Sequence, residues 1–126
     1  MGEGEEDRSH VIFTLLVNSE HPIEALAGFA GRTRAPKPDD DYLYRIHHFK
    51  FDEPGWSERA EQLDAGVRHG LDLLDATGVT PEELRHPDVW VRAHFTFPLG
   101  AETIGAEVVE RLGRIHATVW IDNNNG

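Results

Sequence analysis

The sequence predicts an α+β fold: a four-stranded mixed sheet with helices on one face. Three observations carry this. Four segments have the length and the β-branched and aromatic content of strands, and two of them alternate apolar and polar residues at period two. Between the second and third lies a long stretch whose apolar residues recur at steps of three and four, the period of a helix. The order strand, helix, strand, long helix, strand, helix, strand then reads as two strand–helix–strand units joined by a central helix. Right-handed crossovers inside each unit would leave its strands parallel. The preferred arrangement is therefore ferredoxin-like with an extra central helix, and an open three-layer α/β arrangement is the alternative.

Residues 1–8, MGEGEEDR, are glycine and acid apart from Met1 and Arg8, so burial cannot offset their ordering entropy and a disordered acidic tail is expected. A single domain is expected over residues 9–122, with residues 123–126, NNNG, as a frayed C-terminus. SHVIFTLLVNS (9–19) is the first strand, and its apolar residues on both faces place it centrally in the sheet. EHPIEALAGFAG (20–31) reads as a short helix with Ser19 as cap, Pro22 in its first turn, Ile23, Leu26 and Ala27 on one face, and Gly31 as a stop. RTRAPKPDDD (32–41) is a loop.

YLYRIHHFKF (42–51) is the second strand. Successive side chains of a strand point to opposite faces, so His47 and His48 are expected to diverge, one under the helices and one on the open face, rather than to grip one ion. After DEPG, the segment WSERAEQLDAGVRHGLDLLDATG (56–78) is the central helix. Ala60, Leu63, Val67, Leu71 and Leu74 form its apolar stripe, Asp64 and Arg68 are spaced to pair, and Gly78 closes it. TPEEL (80–84) is a capping box that starts a short helical turn.

DVWVRAHFTF (88–97) alternates cleanly, with Val89, Val91, Ala93, Phe95 and Phe97 toward the core and Trp90, Arg92, His94 and Thr96 away from it. LGAETIGAEVVERLG (99–113) is a helix presenting Ile104, Val108 and Leu112, with Glu107 and Arg111 spaced for a surface pair. RIHATVWID (114–122) closes the sheet, with Ile115, Ala117, Val119 and Ile121 against His116, Thr118 and Trp120.

Composition narrows the chemistry. With no cysteine, disulfides, thiolate metal sites and cysteine nucleophiles are excluded. The 126 residues carry 12 Lys plus Arg against 23 Asp plus Glu, a net charge of −11. Such a field repels phosphate backbones and anionic lipid and favours a basic partner. With no signal sequence and no apolar run of membrane length, the expectations are a cytoplasmic location, no membrane contact and no nucleic acid.

Nucleophile motifs are missing: the serines are Ser9, Ser19 and Ser57, and none sits in G-x-S-x-G. GFAGRT (28–33) has a glycine too few for a phosphate loop and follows a helix rather than a strand. Eight histidines invite a metal reading. H-E-x-x-H is lacking, however, and Asp39, Asp40 and Asp41 lack the glycine and distal glutamate of a calcium loop, so neither a metal nor another cofactor is expected.

The candidate site is the sheet face carrying Trp90, Arg92, His94, His116 and Trp120. Tryptophan and arginine are the usual anchors of protein interfaces. The face is either covered by a loop or helix of the chain, or it binds a protein partner or a second copy; base stacking would need a basic rim, which is not expected here.

The strand VIFTLLV, the helix HPIEALAGFAGR, the W-S before LDAGVRHGLDLL and the ending AEVVERLGRIHATVWID together resemble, over residues 9–122, a widespread bacterial family of small α+β domains known only as a domain of unknown function. The resemblance implies a compact α+β domain, usually standing alone, with no established activity or cofactor; some small acidic domains of this kind serve as immunity proteins beside toxin genes. The expected function is a non-enzymatic protein-binding module, an immunity or inhibitor protein for a basic partner. One alternative is an enzyme or small-ligand protein using His94, His116 and a carboxylate; another is a homodimeric structural domain.

Overall fold

The computed structural model describes residues 10–29, 42–52, 55–98 and 102–123, without the side chain of Trp56. The expected acidic tail, the 32–41 loop, most of GFAGRT and residues 124–126 lie outside these. The elements are β1 (Val11–Ser19), a 3₁₀ turn (Glu24–Phe29), β2 (Tyr42–Phe51), α1 (Trp56–Ala76), α2 (Pro81–Leu84), β3 (Val89–Phe97), α3 (Ala106–Arg114) and β4 (Thr118–Asn123). The four strands form one mixed sheet in the order β2-β1-β3-β4, which makes the fold α+β as the sequence predicts.

The ferredoxin-like connection is not what forms. β1 lies between β2 and β3 and is antiparallel to both; only β3 and β4 pair in parallel, across α3. A parallel neighbour needs a crossover helix that carries the chain back along the strand. Among its described residues, the segment after β1 supplies instead the six-residue 3₁₀ turn, about 12 Å at 2.0 Å per residue. Ser19 does not cap a helix there; its hydroxyl accepts the His21 N–H at 3.2 Å. The turn is pinned to β2 by Ile23 N–H, which donates to the Tyr44 hydroxyl at 2.9 Å.

β1 is one of the two inner strands, as its apolar content predicts. Val11, Phe13, Leu15, Val17 and Ser19 are fully buried on the helix side, while the residues between them are half-buried on the other. A bulge opposite Leu15 and Leu16 admits one extra residue in β2. Tyr44 and Ile46 are buried, and His47, paired with Leu15, follows on the same side. His48, paired with Thr14, points to the open face. The two histidines therefore do part company, as strand geometry requires.

α1 packs across β1 and β2 with Leu63, Val67, Leu71 and Leu74 buried. Gly66 lets it approach: a Cβ there would overlap the Phe49 ring. Gly78, at φ 85°, turns the chain out of the helix. The capping box forms as expected, Glu83 N–H donating to Thr80 Oγ1 at 3.1 Å and Thr80 N–H to Glu83 Oε2 at 2.8 Å.

Two predicted pairings are replaced by contacts between helices. Asp64 accepts Gly105 N–H at 2.9 Å, so it caps α3, which starts at Ala106 rather than at residue 99. Arg111 reaches Asp72 at 3.0 Å and Asp75 at 2.9 Å, clamping α3 to α1. Before α3, the Glu102 side chain is 1 % exposed and ion-paired with Arg59 at 3.0 Å.

β4 departs most from expectation. α3 continues to Arg114, His116 takes φ 54° in the turn that follows, and the strand begins only at Thr118 and runs to Asn123. Val119 and Ile121 pair with Ala93 and Phe95 on the helix side, yet they are 45 % and 54 % exposed. Among the described residues, the helical layer covers three strands and leaves the fourth about half exposed.

Candidate functional site: the open sheet face

The face opposite the helices is organised by register into rows. One row runs His48, Thr14, His94, Trp120; the next runs Arg45, Leu16, Arg92, Thr118. Beyond them stand Leu43, Asn18 and Trp90 at one end, and Lys50, Ile12, Thr96 and Asp122 at the other. Four of the five residues predicted for this site thus share it. His116 does not: the helix runs to Arg114, Ile115 and His116 form the turn that follows with His116 at φ 54° and exposed, and the strand begins only at Thr118.

Trp90 and Trp120 are each 47 % exposed. Between them opens a groove of about 410 Å³, lined by both indoles together with Leu16, Leu43, Arg92 and Thr118. The Arg92 guanidinium lies over the Trp120 ring, 4.8 Å from its centroid, a cation–π contact that holds both side chains flat. Asp122 orders the neighbouring row: its carboxylate is 2.8 Å from His94 Nε2 and accepts Trp120 Nε1–H at 3.2 Å. These two hydrogen bonds, the one to His94 foremost, hold the Asp122 carboxyl below the usual carboxylate range. At the far side His48 Nδ1 shares a 2.8 Å hydrogen bond with the Thr14 hydroxyl. Burial, then the positive charges of Arg45 and Lys50, lower its basicity.

The charge of this face is the reverse of the charge of the chain. Arg45, Lys50 and Arg92 face one carboxylate, Asp122, among the described strand residues. The basic rim that was not expected is present. Arg45 and Lys50 could have been found from the spacing of β2, but the bulge at Ile46 shifts the alternation, and only the register shows which side each takes. Asp122 and Thr14 carried no signal in the sequence at all, since each matters through a neighbour on another strand.

On the opposite side of β2, His47 sits under α1, stacked on Phe49 at 5.7 Å and edge-on to His69 at 4.9 Å. Burial first, then repulsion from His69 and His48, lowers its basicity. It belongs to the packing of the helix layer rather than to the open face.

No helix among the described residues is long and apolar enough to cross a membrane. No family model, no curated protein and no solved structure matches the chain.

Proposed function

We propose that this protein is a non-enzymatic binding module that engages another protein through the open face of its sheet. One observation carries the reading: two half-exposed tryptophans flank a groove whose wall is an arginine already stacked and oriented. Exposed indoles grouped on one face are uncommon without a use, and a preordered Arg–Trp pair loses little side-chain entropy on binding.

The partner that fits presents carboxylates to Arg45, Lys50 and Arg92 and an apolar or aromatic side chain to the groove. This reverses, at the point of contact, the basic partner expected from a net charge of −11. A cationic target of an immunity or inhibitor protein would be drawn to the acidic surface elsewhere, away from the tryptophans. For the enzymatic alternative, His94 stands 2.8 Å from the Asp122 carboxylate, while His116 lies in the turn before β4.

The test is capture from host lysate at low and high salt by the wild type and by Trp90→Ala/Trp120→Ala, followed by binding measurements with each purified candidate. A stoichiometric partner lost on the double substitution and weakened by salt supports the reading. A partner retained equally by both, or none at all, overturns it.

A second reading rests on β4. It is an edge strand with Val119, Trp120 and Ile121 exposed on both of its sides, and pairing with β4 of a second copy would cover it. Light scattering at micromolar concentration would then show a dimer that Ile121→Lys dissociates; a monomer removes this reading.

A further inference from the structure

Away from the sheet face, His21, His86 and Asp88 meet where β1 ends and β3 begins. One ligand-capable atom from each lies within 4.8 Å of the others. Asp88 Oδ2 is 4.0 Å from His21 Nδ1 and 3.9 Å from His86 Nδ1, and the two imidazoles are edge to face at 5.4 Å. The residues come from two distant segments that the backbone already ties together, Glu20 N–H donating to the Asp88 carbonyl at 3.0 Å.

Asp88 N–H donates to His86 Nδ1 at 3.1 Å, so the one lone pair of that nitrogen accepts this hydrogen bond, and a metal bound at Nδ1 would take the place of the N–H. None of the three is part of the core, and their side chains are about half exposed, so they can rotate.

We propose that His21, His86 and Asp88 form a binding site for a divalent transition-metal ion of the zinc class, clipping the exit of β1 to the entry of β3. Two imidazoles and one carboxylate suit zinc, nickel, copper or ferrous iron, whereas calcium and magnesium require a shell of oxygens. The ligand atoms must close by a few tenths of an ångström each to reach bond lengths of about 2.0–2.1 Å. Asp88 supplies the anionic ligand, and water completes the shell on the exposed side. The net charge of −11 raises the local concentration of any divalent cation. The set escapes a motif search because His21 is far in sequence from the H-P-D run that holds the other two.

The test is calorimetric titration of the untagged full chain with zinc chloride, beside the visible absorption of the cobalt(II) complex. The expected result is one zinc per chain, with affinity falling about 10-fold or more in His21→Ala and in His86→Ala, and unchanged in His116→Ala. The cobalt bands fall in the same two variants. His86→Ala also removes the acceptor of Asp88 N–H, so His21→Ala, which removes no hydrogen bond of that loop, decides if the first misfolds. Zinc binding unaltered in His21→Ala, or none at roughly 1 mM metal, overturns the proposal.

Discussion

Arg92 lies over the indole of Trp120, with its guanidinium carbon 4.8 Å from the ring centroid, on a sheet face whose described strand residues carry more cations than carboxylates although the chain is acidic. Both side chains project from positions that their strands leave exposed, so neither holds the core together. Truncating Trp120 to Ala should therefore leave the melting temperature nearly unchanged while weakening the partner complex about 10-fold or more. Thermal denaturation and a titration with the purified partner measure the two effects separately. A large loss of stability would show that the indole is a packing element.

Asp122 reports on the same row. Its carboxyl is held below the ordinary range, first by His94 and then by Trp120. An NMR titration of the side-chain carboxyl should show it, and His94→Ala should raise the value toward its ordinary position near 3.8. A titration that does not move on the substitution would mean that the His94 contact is not made in solution.

His47 makes stability depend on pH. Its folded-state pKa lies below the ordinary 6.5, so the unfolded chain binds the proton more tightly. The contribution is absent above the unfolded value; stability then falls as pH drops below about 6.5 toward the folded value. Melting curves between pH 7.5 and 5.5 should show this loss, reduced in His47→Gln. A slope unchanged by the substitution assigns the effect to another histidine.

Arg59 neutralises Glu102, whose side chain is 1 % exposed. Arg59→Met leaves that carboxylate buried without its countercharge and should cost about 3–5 kcal/mol. The double variant Arg59→Met/Glu102→Leu should recover most of the loss, because the desolvated charge goes too. Urea denaturation of the four proteins completes the cycle, and additive losses would contradict the pairing.

Gly66 is where α1 touches the Phe49 ring. Gly66→Ala gains helix propensity but forces the ring or the helix to move, with a net cost of about 1–3 kcal/mol. Adding Phe49→Leu should reduce that cost, by chemical denaturation, since the smaller side chain leaves room for the methyl group. A stabilised Gly66→Ala would place the helix farther from the sheet.

The sequence by itself determined what depends on neighbours along the chain. The alternation of Val89 to Phe97 decided which residues of β3 face the core, the steps from Leu63 to Leu74 decided the buried stripe of α1, and Thr80 and Glu83 decided where α2 begins. Strand geometry also separated His47 from His48 without knowledge of the fold. Only the tertiary structure decided the matters set between distant segments. It placed β1 between β2 and β3, gave Arg111 to Asp72 and Asp75 in place of Glu107, and turned Asp64 into the cap of α3. It also ended α3 at Arg114 and put Ile115 and His116 in a turn, which removed His116 from the face, and it left Val119 and Ile121 about half exposed despite their alternation. The physical reason is the same in each case. Periodicity fixes which way a side chain points, but what it meets there depends on which strand, helix or solvent the rest of the chain brings opposite it.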